Sequence, residues 1–129
     1  IHIRRGDYIQ NANTNSLHGT CGLEYYKNAI EYISENIQNP MFFIFSDDIL
    51  WCKENFYFLE NKEFIDDTES AIDDLELMKN CQHNIIANST FSWWGAWLNE
   101  YKNKIVVAPR IWIVSNEESH IAPTDWIVL

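Results

Sequence analysis

Short apolar runs alternate along this chain with stretches whose apolar residues recur at helical spacing, and this alternation limits the folds open to it. The runs at 41–45, 63–65, 84–87 and 104–108 have strand length. An unbroken run such as Met41-Phe42-Phe43-Ile44-Phe45 suits a strand covered on both faces of a parallel sheet. Residues 1–5 read as a strand entering a polar loop at 6–22. Segment 23–37 places Tyr26, Ile30, Ile33 and Ile37 on one helical face, closed by Pro40. Segment 49–56 reads as a short helix, and 70–81 as a longer one with Ile72, Leu75, Met78 and Cys81 on one face. A further helix follows the strand at 84–87, with Phe91, Trp94, Leu98 and Tyr101 as its apolar stripe. The tail at 111–129 reads as irregular. Strands alternating with helices imply parallel strands joined by crossover helices. The expected fold is therefore α/β, a Rossmann-like doubly wound parallel sheet with helices on both faces, whose ligands sit beyond the carboxyl ends of the strands.

The chain's 129 residues suit one domain, and 47% hydrophobic residues suffice for a packed core. A net charge of −10 disfavours nucleic acid and anionic lipid as general partners. Positive charge is nevertheless concentrated, because two of the three arginines, Arg4 and Arg5, are adjacent. Cys21, Cys52 and Cys81 form no CxxC pair, which fits a reducing compartment better than a disulfide framework or a zinc site. No apolar run has the length of a membrane span. The chain opens inside an apolar run, as a fragment of a longer protein would.

Polar residues gather just after the strands. In His2-Ile3-Arg4-Arg5-Gly6-Asp7, strand alternation sends His2 and Arg4 to one side and Arg5 to the other. Guanidinium groups bind phosphate through paired hydrogen bonds, and Asp7 could orient an arginine or accept a proton. An ordinary surface Arg–Asp pair is the plainer alternative. After the second strand, Ser46-Asp47-Asp48 could contact ribose or guanine, hold a metal, or cap the next helix through Ser46 or Asp47. Asn88-Ser89-Thr90-Phe91-Ser92 follows a strand and opens a helix, where free N–H groups and hydroxyls suit a phosphate. A helix cap followed by a core stripe would explain the same residues. Asp73 and Asp74 meet a helix dipole, and such a carboxylate can also accept two hydrogen bonds from the edge of guanine. His18, His83 and His120 lack ligand-like spacing and read as structural.

Taken in order, His-x-Arg-Arg-Gly-Asp-Tyr at 2–8, the strand ending in Asp47-Asp48, and Asn-Ser-Thr-Phe-Ser-Trp-Trp-Gly-Ala-Trp-Leu at 88–98 resemble the motifs of the family 11 glycosyltransferases, the α-1,2-fucosyltransferases. Cys21, Tyr25-Tyr26 and the stretch 81–87 match as well, so the resemblance covers nearly the whole chain. It implies the C-terminal, GDP-fucose-binding half (1–129) of a GT-B enzyme whose N-terminal acceptor domain is absent from this chain. The implied reaction moves L-fucose from GDP-fucose to a galactose 2-hydroxyl of a glycan, with inversion and without metal or cofactor. By motif position Arg4 binds the diphosphate with His2 and Arg5 in support, and residues 89–92 hold it from the other side. Asp74 reads guanine, and Asp7 is the candidate orienting group or base. The implied location is cytoplasmic, free or at the membrane periphery. The alternatives are a non-catalytic GDP-sugar binding module, or a fucosyltransferase of another linkage.

Overall fold

The computed structural model describes residues 1–6, 9, 19–113 and 121–129. Asp7, Tyr8, His18 and His120 lie outside them. The described elements are β1 (His2–Ile3), α1 (Leu23–Asn36), β2 (Phe42–Ser46), α2 (Ile49–Asn55), β3 (Lys62–Ile65), α3 (Ala71–Asn80), β4 (Asn84–Ile85), α4 (Thr90–Trp97), β5 (Val106–Ala108) and β6 (Ile127–Val128). All strand pairs are parallel. The chain is thus α/β, as the alternation of runs predicts, and consistent with a Rossmann-like arrangement. The strands form two three-stranded ladders, ordered β1-β2-β3 and β4-β5-β6, in place of the single expected sheet.

α1 forms where the periodicity places it, burying Tyr26, Ala29, Ile30 and Ile33. It ends because Ile37 is extended, Asn39 takes the left-handed conformation at φ 51°, and Pro40 follows. Asparagine tolerates that region, and the residue before a proline is driven out of the helical one. α3 starts at Ser70, whose hydroxyl accepts from the Asp73 N–H at 3.3 Å. The acidic Asp73 and Asp74 fall in its first turn, where the helix dipole favours them.

Neighbouring residues of the second ladder divide between two cores. Ile85 and Val107 pack with α1, whereas Ile86, Val106 and Ala108 pack with Ala96, Trp112 and Trp126. Period-two alternation explains the division, and it shows this ladder covered on both faces. Ile3 and Ile44 of the first ladder join the α1 core.

Four readings need correction. Ile72 of the supposed α3 face is 71% exposed, and Met78 is the buried residue of that helix. Most of the supposed core stripe of α4 faces outward: Trp94, Leu98 and Tyr101 are exposed and Phe91 is half-buried, while Ser92, Gly95 and Ala96 are buried. The small face wins because α3 approaches so closely. A Cβ on Gly95 would lie 3.2 Å from Met78 Cβ and Cε, so no large side chain fits between the helices. The tail contains β6, paired with β5 through Val107↔Ile127 and Ala108↔Val128. A two-residue strand has too little pattern to be seen before its partner is known. Finally, within the polar stretch at 6–22, the described residues Gly6 and Ile9 are helical where a loop was expected, and the Ile9 N–H donates to the Arg5 carbonyl at 2.8 Å; residues 7, 8 and 10–18 lie outside the described residues.

Candidate functional site

The parallel register of β1 and β2 builds the first part of the site. It pairs His2 with Phe45 and Ile3 with Ser46. Continued past the strand ends, it sets Arg4 and Arg5 against Asp47 and Asp48, basic residue against acidic. Arg4 Nη1 lies 3.3 Å from Asp47 Oδ2, and Arg5 Nε donates to Asp48 Oδ2 at 3.4 Å. The Arg5 backbone N–H donates to Asp47 Oδ1 at 2.9 Å. The Arg5 guanidinium also covers the Trp51 ring, 3.7 Å from its centroid. Both arginines therefore meet one acidic edge. Alternation does not separate them, because β1 ends at Ile3.

Gly6 is required here by space. A Cβ at that position would lie 2.8 Å from Asp47 Oδ2, inside any tolerable contact, and would push the carboxylate off Arg4 and the Arg5 N–H. The helix cap falls on Asp48 and not on Ser46 or Asp47: Asp48 Oδ1 accepts from the Trp51 N–H at 3.3 Å. Ser46 Oγ instead accepts from the Asp48 N–H at 3.0 Å. Asp47 is held back from the cap by its two bonds to the arginine pair.

His2 links this edge to the third motif. It is buried, and its ring lies 5.4 Å from that of Phe91 at the start of α4. Burial lowers its pKa to about 3, with the positive amino terminus and Arg4 acting in the same direction. His2 is thus neutral across the ordinary pH range. Its Nδ1 is buried without a hydrogen-bond partner among the described residues.

The turn into α4 is tight. The Ser89 N–H donates to the Ala87 carbonyl at 2.8 Å, and Ser92 Oγ accepts from the Ala87 N–H at 2.9 Å. Ser92 is almost fully buried in that role, Ser89 is buried, and Thr90 is exposed. Ser89 caps the helix by position, without a side-chain hydrogen bond. Asn88 reaches sideways: its amide donates to the Gly19 carbonyl at 3.3 Å, and its Oδ1 accepts from Cys21 Sγ at 3.5 Å. Asp74, half-buried after the end of β3, accepts from Thr68 Oγ1 at 2.8 Å. His83 is structural, accepting from the Ile105 N–H at 3.0 Å through Nδ1.

A cleft of about 430 Å³ opens where β5 and β6 end, among Cys21, Tyr25, Asn88, Pro109, Arg110 and Leu129. Arg110 has no assigned part in the motif reading. Its signal was its position, the first charged residue past a strand, as with Arg4. Tyr25 anchors this edge by placing its hydroxyl 2.7 Å from the Ile86 carbonyl and 3.1 Å from that of Val107. Burial pushes the Cys21 thiol up to about 11, so it is no ready nucleophile. Among the described residues, no three His, Cys, Asp or Glu side chains gather as a metal site would need, and no helix is long and apolar enough to cross a membrane.

Glycosyl transferase family 11 matches over residues 1–129. The chain is 45% identical to the O-antigen biosynthesis glycosyltransferase WbnK of Escherichia coli, covering 100% of this chain and 43% of that protein. It is 42% identical to an α-1,2-colitosyltransferase of Escherichia coli, covering 98% of this chain and 46% of the relative. Against the human galactoside α-(1,2)-fucosyltransferase 1 the identity is 31%, over 76% of this chain and 28% of that protein. The chain thus spans less than half the length of these relatives. No solved structure matches it.

Proposed function

Because this chain belongs to glycosyl transferase family 11, we propose that it is the donor-binding part of a GT-B α-1,2-fucosyltransferase, which moves fucose from GDP-fucose to a galactose 2-hydroxyl. The observation that carries this reading is the arginine pair, held by Asp47 and Asp48 at the carboxyl end of β1 and tied to the start of α4 through His2 and Phe91. Negative charge grows on the β-phosphate as the sugar–GDP bond breaks. Guanidinium groups fixed beforehand stabilise that charge without reorganising. Each guanidinium carries five N–H donors, more than a carboxylate takes, so an orienting Asp leaves donors for phosphate. The α4 start, with Ser89 and Thr90, supplies N–H groups from the other side. Asp74 is the group for guanine, and Asp7 the orienting group or base.

A second reading concerns the sugar. The colitosyl relative is more similar and more fully covered than the fucosyl one, which favours colitose as the alternative, with the α-1,2 linkage common to both. Full-length enzyme assayed with each sugar as its GDP donor decides between them. Binding of GDP, measured by calorimetry on wild type and Asp74→Ala, tests the site itself. The expected result is a loss of GDP affinity of about tenfold or more, the scale of one charged hydrogen-bonded contact. Unchanged GDP binding would remove Asp74 from the site, and equal binding of UDP would remove guanine selectivity.

A further inference from the structure

Arg5 is gripped in two directions. Its Nε donates to Asp48 Oδ2 at 3.4 Å, near the outer limit of a hydrogen bond. Its guanidinium carbon stands 3.7 Å over the centroid of the Trp51 ring, well inside the roughly 6 Å over which an aromatic face attracts a cation. The Arg5 side chain is only 17% exposed, so the contact is largely shielded from water. Among the described residues, neither terminal nitrogen of Arg5 takes part in a hydrogen bond or an ion pair. Arg4 differs, since its Nη1 stands 3.3 Å from Asp47 Oδ2.

The start of α2 puts the ring there. Asp48 caps that helix, and Trp51 lies in its first turn. One carboxylate therefore serves both partners: Oδ1 accepts from the Trp51 N–H at 3.3 Å, and Oδ2 accepts from Arg5. The Trp51 ring in turn meets Phe56 edge to face, with centroids 6.1 Å apart. Phe56 is fully buried in the α1 core, where it meets Tyr26. The indole is thus a plate that joins the arginine to the core, and the cap that starts the helix also fixes the cation on the plate.

A guanidinium held by its face keeps its edge. A second carboxylate in place of the indole would occupy in-plane N–H groups and offset the positive charge. The indole does neither, because it is neutral and meets the face alone. Of the five N–H donors of a guanidinium, the four on the terminal nitrogens stay available, in a plane that the ring sets. We propose that Trp51 is a positioning residue of the donor site, which fixes the plane of Arg5 so that its terminal N–H groups meet oxygens of the diphosphate as a fork. This inference rests on the proposed function. It divides the labour of the segment after β2: Asp47 and Asp48 hold the arginines by ion pairs, and Trp51 orients one of them without using its charge.

The test measures GDP affinity by calorimetry on the full-length protein, wild type against Trp51→Leu and Trp51→Phe, with a melting curve on each to show that it is folded. Leucine keeps apolar packing and loses the aromatic face, while phenylalanine keeps a face. The expected loss is about tenfold in Trp51→Leu, the scale of one partly desolvated cation–π contact, and about threefold or less in Trp51→Phe. In an Arg5→Gln background the Trp51→Leu change should cost less than about twofold, because the cation it held is gone. Unchanged affinity in Trp51→Leu would overturn the inference. Equal losses in the Leu and Phe variants would do the same, since packing and not the face would then matter. So would an undiminished loss in the Arg5→Gln background, which would place the effect of Trp51 outside Arg5. If Trp51→Leu does not fold, Trp51→Met, an adaptable apolar substitute, takes its place in the same comparison. A wild-type protein that binds no GDP would instead refute the proposed function, and this inference with it.

Discussion

Arg4 and Arg5 owe their positions to register. Once Ile3 pairs with Ser46, each next residue meets its counterpart, and two basic side chains lie against two acidic ones. On the proposed function, Arg4→Lys in the full-length enzyme keeps the charge but loses the two-pronged contact with phosphate. Turnover should fall by about 10²-fold or more, the effect of removing one preorganised donor. If Arg4 were only a surface partner of Asp47, kinetics would stay near normal and stability would change by about 1 kcal/mol or less. Steady-state kinetics with a melting curve on the same sample separates the two. His2 gives a pH prediction. Its pKa is lowered from 6.5 in the unfolded chain to about 3 in the fold, so the unfolded chain binds the proton first. Its contribution is complete above pH 6.5 and is lost as pH falls from there toward 3. His2→Gln should flatten the fall of stability between pH 6.5 and 4, read by denaturant titration at several pH values. An equally steep fall in the variant would show that other groups cause it.

At the scale of elements, α4 shows how packing overrules an apparent stripe. Its aromatic residues read as the inner face, yet the helix buries Ser92, Gly95 and Ala96 against its neighbours. Trp93 stacks on Trp97 with ring centroids 5.1 Å apart and also meets Trp126 at 5.6 Å, so part of the aromatic surface is covered by other aromatics. The end of α4 is held by Lys104, whose ammonium donates to the carbonyls of Ala96 and Asn99 at 2.8 and 2.7 Å, a cation where the helix dipole is negative. Gly95 is the tightest point. Gly95→Val would add atoms where Met78 Cβ already stands 3.2 Å from a bare Cβ. The expected cost is about 1–3 kcal/mol from overpacking, read as a lower midpoint in urea. A midpoint equal to wild type would mean that α3 can withdraw freely. The aromatic residues drew attention in the sequence, while the signal for this interface was the Gly-Ala pair between them.

For the whole molecule, the chain spans under half of each relative it matches. On the proposed GT-B reading, the donor half lacks the surface that orients an acceptor, and orientation supplies much of the rate in such a reaction. The 129-residue chain should therefore bind GDP while transferring sugar at least about 10²-fold more slowly than the full-length protein. Robust transfer to a galactoside by the chain alone would contradict that division of labour. Several features of this protein were legible in the sequence by itself, because they are local. Apolar runs and helical spacing marked five of the six strands and all four helices described, and the motif positions followed directly after strands. The parallel sense of the strands was also readable, since helices between strands leave few other connections. Other features required the tertiary structure, because they depend on residues distant in sequence. Strand register, an offset of 43 residues between β1 and β2, decided that Asp47 and Asp48 hold arginines. The approach of α3 decided which face of α4 is buried. The pairing with β5 made a strand of Ile127–Val128, whose two residues carry no period of their own, and the junction of three strand ends brought Arg110 and Asn88 to one cleft.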